Sequence, residues 1–348
     1  MKIVVDINHP AHVHYFKNFI WEMEKKGHEI LITVSDKDIA RQLLDLYGFK
    51  YVLLGSYGKG IVKKAINVPI LDFRMWKAVH KFNPDLFVGF STIRGSHISF
   101  LMRKKTIALD DTEPATLQRM LYHPFANAIL TPACFQKDLG SKQVRYDGYA
   151  DLFYLHPNRF IPNPDILKEV GISEKDTFFI VRFVSFDANH DIGQSGIHDK
   201  VKLVKLLSEY GRVLITSEAS LPNELEKYRY RAPVNKMHDL MYYATLVIGE
   251  SPTMASEAAC MGVHAVLITT FKVGYNKDEE DKYNLVTNFS NPNTDDEEII
   301  DKIISLIVDP ATKGDSRKMR LKLLSDSCDP TTVLIDLAEK LTDEKRSN

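Results

Sequence analysis

The sequence contains few cysteines and no long apolar segment. Cys134, Cys260 and Cys328 are the only cysteines among 348 residues. Because they are odd in number and far apart, they predict neither a disulfide framework nor a Cys-x-x-Cys metal site. No window reaches about 18 uncharged apolar residues, so we expect no membrane span, and the apolar stretch after Lys2 is too short for a signal peptide. These absences predict a cytoplasmic protein; peripheral contact with a membrane stays open.

The sequence also lacks an excess of charge of either sign. Lys plus Arg number 45 and Asp plus Glu number 46, so the net charge is -1. A protein that binds nucleic acid usually carries a basic excess, and we therefore expect no nucleic-acid partner. Two local basic clusters are interpreted as solvated faces, with a binding patch as the alternative: Lys59, Lys63 and Lys64, and Arg103, Lys104 and Lys105.

Three motifs that mark common α/β enzymes are missing. The absence of G-x-x-x-x-G-K-[ST] excludes a P-loop NTPase, and the absence of G-x-G-x-x-G after the first predicted strand weighs against a dinucleotide dehydrogenase. The absence of G-x-S-x-G leaves an α/β-hydrolase unsupported. The chemistry therefore has to come from other polar loops.

What the sequence does contain is a regular alternation of short apolar strands and amphipathic helices. It begins with a strand at 3–5, a helix at 11–26 and a strand at 29–34. Such alternation through short loops predicts a parallel sheet covered by helices on both faces. It stops at 148–164, where glycine and proline collect, and restarts at 178.

We therefore predict an α/β protein with two Rossmann-like domains. The N-terminal domain covers residues 1–150 and the C-terminal domain covers 151–328. The rest of the chain, 329–348, is predicted to form a helix that packs back on the first domain. In open α/β sheets, ligands bind at the carboxyl ends of the strands, so the loops at that edge are the candidate site.

The most informative segment runs from Gly249 to Gly262, where a strand ends, a turn follows and a helix begins. A helix N-terminus presents unpaired N–H groups and partial positive charge, which bind phosphate and other anions. Ser251 and Thr253 supply hydroxyl groups there, and Glu257 lies one turn further on, where its carboxylate can accept hydrogen bonds from a ribose. The alternative is that Ser251 only caps the helix.

This segment resembles the donor site of GT-B glycosyltransferases and UDP-N-acetylglucosamine 2-epimerases. Their E-A-x-x-x-G pattern corresponds to the run from Glu257 to Gly262, and a K-x-G-H-E pattern of the peptidoglycan glycosyltransferase branch corresponds to Lys25–Glu29. Together with the loop around His9, these residues resemble an uncharacterised archaeal and bacterial family of the GT-B superfamily.

The resemblance implies the GT-B fold, in which two Rossmann-like domains face a cleft. It implies that Glu257 contacts the nucleotide ribose and that Ser251 and Thr253 lie on the phosphate side. The nucleotide-activated sugar would bind to the C-terminal domain and the acceptor to the N-terminal one.

Three histidines follow the first strand at His9, His12 and His14. Neutral imidazoles bind Zn, Fe or Ni, so a metal site is one interpretation. A second is that one histidine acts as a general base or as a donor that orients phosphate. A third is capping and core packing.

Further polar residues follow other strands at the same predicted edge. Asp110 and Asp111 are adjacent, so on an extended chain they point in opposite directions, and either one could activate an acceptor hydroxyl or cap the next helix. Arg94 suits a carboxylate or phosphate on the acceptor.

In the second half, the loop after the leading strand is rich in small residues. Gly193, Ser195 and Gly196 allow a pyrophosphate to approach the backbone closely, and Arg182 precedes them on the strand.

The sequence thus predicts a glycosyltransferase that needs no metal ion or other cofactor. It would bind a nucleotide-activated sugar and an acceptor of unknown identity, and helix N-termini would stabilise the leaving diphosphate. The alternatives are a nucleotide-sugar 2-epimerase or hydrolase on the same fold, a metal-dependent hydrolase, and a non-catalytic binding module that uses the histidine loop.

Overall fold

The computed structural model of the protein describes residues 1–58, 60–184, 196–217, 220–231, 233–291 and 294–343. The chain divides into two compact units. The first unit comprises Met1–Tyr154 together with Cys328–Asn348, and the second unit comprises Leu155–Ser327. Each unit contains one parallel β-sheet with helices in its connections.

The first unit contains a seven-stranded sheet with the strand order β3-β2-β1-β4-β5-β6-β7. All of its strand pairs are parallel. The strands are β1 (Lys2–Ile7), β2 (Glu29–Ser35), β3 (Tyr51–Gly55), β4 (Leu86–Phe90), β5 (Lys105–Leu109), β6 (Ala128–Pro132) and β7 (Gln143–Tyr146).

Five helices of the first unit connect these strands and a sixth follows β7. They are α1 (Pro10–Lys25), α2 (Asp38–Leu46), α3 (Ile61–Val79), α4 (Ile93–Leu101), α5 (Thr116–Tyr122) and the short α6 (Leu152–Leu155). The core is apolar because the central strands are buried on both faces. On α3, Leu71, Met75 and Val79 lie on one stripe and pack against Val4 and Phe87 of the sheet.

The second unit contains a five-stranded parallel sheet with the order β12-β11-β10-β8-β9. The strands are β8 (Phe178–Phe183), β9 (Arg212–Ser217), β10 (Leu246–Gly249), β11 (His264–Ile268) and β12 (Val286–Phe289). The helices are α7 (Asp165–Glu169), α8 (Lys200–Tyr210), α9 (Met237–Tyr243), α10 (Pro252–Met261), α11 (Gly274–Tyr283), α12 (Asp296–Val308) and α13 (Thr312–Ser325).

The last helix, α14 (Pro330–Asp343), belongs to the first unit and packs against α1. The carbonyl oxygen of Phe153 accepts hydrogen bonds from Thr331 Oγ1 at 2.9 Å and from Asn18 Nδ2 at 2.8 Å. Lys26 and Glu339 form an ion pair at 2.6 Å. The segment that returns from the second unit is therefore tied to both α1 and α6.

Several elements of the fold differ from the expectation. The sequence pattern predicts a helix over residues 113–122, but α5 begins at Thr116, because two tight turns precede it. The N–H of Ala115 donates to the carbonyl of Thr112 at 3.1 Å, and that of Thr116 donates to Pro114 at 2.7 Å. Strands β7 and β12 and helix α11 were not predicted. In the described part of the chain, no helix is both long and apolar enough to cross a membrane.

Candidate functional site

The N-terminus of α10 lies at the carboxyl edge of the second unit's sheet. Ser251 caps it, since its Oγ accepts the N–H of Met254 at 3.3 Å, and Pro252 occupies the first helical position, where it needs no hydrogen-bond acceptor. The helix ends at Met261 and is capped by Gly262, whose φ of 74° is the left-handed conformation that favours glycine. Both alternatives for Ser251 are compatible with this geometry, because a hydroxyl oxygen that accepts the N–H of Met254 can still donate its own proton to a ligand.

A carboxylate and an imidazole form a buried pair just behind this N-terminus. Nε2 of His238, on α9, lies 2.9 Å from Oε1 of Glu257, on α10, and both side chains are buried. The ring of Phe160 packs edge-on against the imidazole, with 6.5 Å between the two ring centroids. His238 therefore holds the carboxylate that the resemblance assigns to the ribose. Sequence reasoning missed His238, and only its position on the helix before β10 hints at it.

Glu250, which sequence reasoning also missed, is a buried acid of this edge with three described hydrogen-bond donors. Its buried carboxylate accepts the N–H of Val184 at 2.8 Å and the N–H of Ile197 at 3.0 Å, and Lys200 Nζ lies 3.3 Å away. One side chain thus ties together the two ends of the connection between β8 and α8. An acid directly between a strand and a capping serine was the available signal.

At two positions close to Glu250 and its neighbours, the backbone leaves no room for a side chain, which explains why both are glycine. A Cβ on Gly196 would lie 2.8 Å from the carboxyl carbon of Glu250. A Cβ on Gly249 would lie 2.9 Å from the backbone nitrogen of Arg182, its partner across the sheet. Gly196 is therefore found beside the α10 edge, and a side chain there would displace Glu250.

Of the other four predicted residues of this unit, two lie in the part of the chain that the structure describes. Thr253 is half-buried on the first turn of α10, and Arg182 is half-buried near the end of β8. The carbonyl of Arg182 accepts the N–H of Glu250 at 3.0 Å. Gly193 and Ser195 lie outside the described residues.

In the first unit, the carboxyl edge is built around a buried ion pair. Asp6, near the end of β1, accepts hydrogen bonds from Arg94 Nε at 2.8 Å and from Arg94 Nη2 at 2.6 Å, and neither side chain is exposed. Thr92 and Thr33 also donate to Asp6, at 2.7 and 2.9 Å. The anion that Arg94 binds in this structure is therefore the protein's own carboxylate, rather than the acceptor group that we expected.

The Asp6 cluster extends into the histidine loop through Asn8. Asn8 Nδ2 donates to Asp6 at 3.1 Å, and its Oδ1 accepts from Ser35 at 2.9 Å. The backbone N–H of Asn8 donates to Nδ1 of His12 at 3.2 Å. A backbone N–H can only donate, so Nδ1 of His12 carries no proton and the neutral ring is protonated at Nε2.

The three histidines have different surroundings. Burial, reinforced by the charges of His9, Lys37 and Arg94, lowers the pKa of His12 well below its usual value. His9 caps α1, since its exposed ring accepts the N–H of Ala11 through Nδ1 at 3.3 Å. His14 is buried against Tyr154 and Tyr47, with Nδ1 3.4 Å from the Tyr47 hydroxyl.

The two adjacent aspartates also differ. Asp110 is paired with Arg119 at 2.9 Å and accepts the hydroxyl of Tyr122 at 2.5 Å, while the N–H of Thr112 donates to its other oxygen at 3.0 Å. Asp111 accepts only the Thr112 hydroxyl, at 2.7 Å, among its described hydrogen bonds. Neither aspartate caps α5, because its N-cap is Ala115.

Burial raises the pKa of the Asp111 carboxyl to about 7, and the nearby Asp110 and Glu113 carboxylates add to the shift. Asp111 can therefore exchange a proton near neutral pH. Metal binding by the histidine loop finds no support in this geometry: among the residues that the structure describes, no group of three or more His, Cys, Asp or Glu side chains is arranged to hold a metal ion.

Comparison with known proteins identifies the family. The profile of a family described as "Protein of unknown function (DUF354)" matches residues 1–341. The chain belongs to the DUF354 family. The uncharacterized protein MJ0665 of Methanocaldococcus jannaschii is 21% identical over 282 residues, which cover 76% of the DUF354 chain and 81% of that relative.

Solved structures share the fold at low sequence identity. UDP-GlcNAc 2-epimerase from Neisseria meningitidis bound to UDP-GlcNAc has a TM-score of 0.67 at 13% identity, over 98% of the DUF354 chain and all of the other. The spinosyn rhamnosyltransferase SpnG complexed with spinosyn aglycone has a TM-score of 0.64 at 13% identity, over 97% and 99%. The UDP-GlcNAc 2-epimerase from Methanocaldococcus jannaschii has a TM-score of 0.60 at 12% identity, over 92% and 99%. The DUF354 chain therefore has the GT-B-like α/β fold with two Rossmann-like parallel sheets, which confirms the fold class predicted from the sequence.

Proposed function

We propose that this DUF354 protein is a glycosyltransferase that binds a nucleotide-activated sugar at the N-terminus of α10. The sugar would pass to an acceptor bound by the first unit, with no metal ion or other cofactor taking part. The observation that carries the proposal is the combination, at one sheet edge, of a serine-capped helix N-terminus with the buried Glu257–His238 pair.

Each part of this edge matches one part of a nucleoside diphosphate sugar. The first turn of α10 offers the backbone N–H and the hydroxyl of Thr253, together with the positive end of the helix dipole, to the diphosphate. The carboxylate of Glu257 accepts hydrogen bonds from the ribose hydroxyls, and His238 fixes its orientation. Arg182 and Gly196, beside Glu250, are assigned to the same donor site, together with Gly193 and Ser195.

In the reaction, an acceptor hydroxyl attacks the anomeric carbon of the sugar, and the bond from that carbon to the diphosphate breaks. The nucleoside diphosphate leaves with the electron pair, and helix N-termini stabilise its developing charge. We assign to the Asp111 carboxylate the role of accepting the proton of the acceptor hydroxyl, because this side chain is buried and follows the end of a strand of the first unit.

The other predicted catalytic residues take supporting roles in this proposal. His9 and His12 present Nε2–H donors when neutral, since Nδ1 of each accepts a backbone N–H. His14 and Asp110 position the loops around them, and Arg94 positions the histidine loop through Asp6 and Ser35.

Isothermal titration calorimetry of the full chain with UDP- and GDP-sugars tests donor binding. Glu257→Gln should weaken binding at least about 10-fold, which corresponds to the loss of a charge-assisted hydrogen bond. Glu298→Gln makes the same change at an exposed position on α12 and should bind as the wild type does. Absence of binding by any sugar nucleotide, or equal affinities of the two variants, would contradict the proposal.

A second candidate is a nucleotide-sugar 2-epimerase or hydrolase, because an epimerase bound to UDP-GlcNAc shares the fold as fully as a glycosyltransferase does. Incubating the bound sugar nucleotide alone and following it by NMR separates the two. Conversion without any acceptor supports the second candidate, whereas an unchanged donor supports transfer.

A further inference from the structure

Half of the large exposed hydrophobic side chains in the described chain lie on three consecutive helices of the first unit. These nine of eighteen residues are between 36% and 70% exposed. They are Ile66, Ile70, Phe73 and Trp76 on α3, Phe100 and Leu101 on α4, and Leu117, Met120 and Leu121 on α5. A surface of this kind on a chain of ordinary composition marks an interaction site.

The three helices lie side by side, so these residues form one surface, which we call the α3–α5 face. His97 of α4 joins the outer two helices. Its Nδ1 lies 2.8 Å from Asp72 of α3, and its Nε2 lies 2.9 Å from the carbonyl of Leu121 on α5. The ring of Phe125, just after α5, contacts Phe100 and His97. These contacts hold the three helices together, so the exposed residues form one continuous surface.

On α3, the exposed residues form a stripe of their own. Ile66, Ile70 and Phe73 recur at spacings of four and three residues, and are therefore on one side of the helix. The opposite stripe, formed by Leu71, Met75 and Val79, is buried in the core. Packing within the first unit therefore does not account for the outer stripe.

The charges around this face are almost all of one sign. Asp72 is the one acidic residue within the sequences of the three helices, and it is paired with His97. Exposed basic residues lie at the helix ends: Lys63 at the start of α3, Lys77 and Lys81 at its end, and Arg103 just after α4. Lys63 and Arg103 belong to the two basic clusters of the sequence, for which a binding patch is the alternative to solvated faces.

We propose that the α3–α5 face docks the protein on the surface of an anionic lipid bilayer. Apolar and aromatic side chains enter the boundary between headgroups and acyl chains, while lysine and arginine at the rim contact anionic headgroups. The near absence of acidic residues favours an anionic lipid surface over a protein partner, whose surface would present both signs of charge. This inference does not depend on the proposed reaction.

Flotation of the full chain with vesicles tests the inference directly. The protein should float with vesicles of phosphatidylcholine and phosphatidylglycerol at 3:1, and bind roughly 10-fold more weakly to vesicles of phosphatidylcholine alone. The triple variant Phe73→Gln, Leu101→Gln and Met120→Gln should lose binding by at least about 10-fold. The matched control changes three residues of similar exposure elsewhere, Ile161→Gln, Val308→Gln and Leu321→Gln, and should bind as the wild type does.

A second measurement needs no change in the face itself. The chain has two tryptophans, so Trp21→Phe leaves Trp76, on α3, as the sole indole reporter. Its emission should shift to shorter wavelength with the anionic vesicles and stay unchanged with phosphatidylcholine alone.

Three results would overturn the inference. They are no flotation of the wild type, equal flotation of the two triple variants, and a constant Trp76 emission. Light scattering tests the alternative that a second copy of the chain covers the face. If the wild type is a dimer, if the changes at Phe73, Leu101 and Met120 dissociate it, and if neither protein binds vesicles, the face belongs to that second copy.

Discussion

Arg94 and Asp6 form a fully buried ion pair, with Nε and Nη2 of the guanidinium both donating to one carboxylate oxygen, at 2.8 and 2.6 Å. The pair joins the start of α4 to the end of β1. Through Ser35 and Asn8 it also reaches the histidine loop. The order of this sheet edge therefore depends on one internal charge pair.

Replacing Arg94 by Met should destabilise the fold by about 3–5 kcal/mol, because it leaves the Asp6 carboxylate buried without its countercharge. Chemical denaturation measures the change. Arg41→Met is the matched control, since Arg41 pairs with Asp36 and Asp38 at the surface, and it should leave the denaturation midpoint nearly unchanged. A midpoint for Arg94→Met equal to that of the control would show that the pair contributes little.

Asp111→Asn should reduce the loss of folding stability that accompanies rising pH. The folded-state pKa of Asp111 is raised to about 7, above its unfolded value, so the folded state retains a proton that the unfolded state loses. The contribution is complete below the unfolded pKa and is lost as the pH rises through 7. The stability of the variant relative to wild type should therefore increase by up to about 1.4 kcal/mol per pH unit between pH 4 and 7.

Asp110→Asn is the comparison for that experiment. Asp110 is paired with Arg119 and Tyr122, so its loss should lower stability at both ends of the same pH range. Unfolding free energies measured at pH 4.5 and 7.5 test the expectations for both variants. If Asp111→Asn follows the wild type at both pH values, the carboxyl is not protonated in the folded protein.

His264→Gln should flatten the loss of stability in acid. Burial, with a smaller effect of Lys302, lowers the pKa of His264 to about 4, so the unfolded state binds a proton that the folded state does not. Stability from this group is present above the unfolded pKa near 6.5 and falls as the pH drops toward 4. Removing the group should reduce the slope there by up to about 1.4 kcal/mol per pH unit.

The control is His198→Gln, the same replacement at an exposed histidine of the same unit, which should keep the wild-type slope. Denaturation curves between pH 4 and 7 measure all three proteins. Identical slopes for His264→Gln and wild type would show that His264 titrates alike in the folded and unfolded states.

Glu250→Gln should loosen the connection between β8 and α8. The amide retains one acceptor oxygen for two backbone donors, so Val184 or Ile197 loses its partner. Hydrogen exchange at those two amides should accelerate at least about 10-fold, as expected when a hydrogen bond to a charged group is lost. Glu280→Gln, at the acid of α11 that accepts from Asn288, should leave both rates unchanged; faster exchange in that variant too would point to general destabilisation.

The alternation of strands and helices was sufficient to predict the fold class, because buried parallel strands are short apolar runs and their connecting helices are amphipathic. The parts that were missed lack these signals. Strand β7 (Gln143–Tyr146) is short and contains polar residues, and helix α11 (Gly274–Tyr283) is strongly polar on most sides. Their structure follows from their neighbours in the fold.

The site was less predictable because its partners are distant in sequence. Ser251 and Glu257 were found from a local pattern, but His238 reaches Glu257 only through the packing of α9 against α10. Arg94 was expected to face a ligand, and its partner Asp6 lies 88 residues earlier in the chain. A single sequence shows which groups end strands, but not which of them neutralise each other.

The last helix has a consequence for biosynthesis. Because α14 follows the entire Leu155–Ser327 segment in the chain, the ribosome completes the second unit before the first one receives its final element. At about 5–20 residues per second, α1 waits roughly 15–60 seconds for that partner. During this interval the nascent N-terminal part exposes the surface of α1 that α14 later covers, and a chaperone can bind that surface until α14 is made.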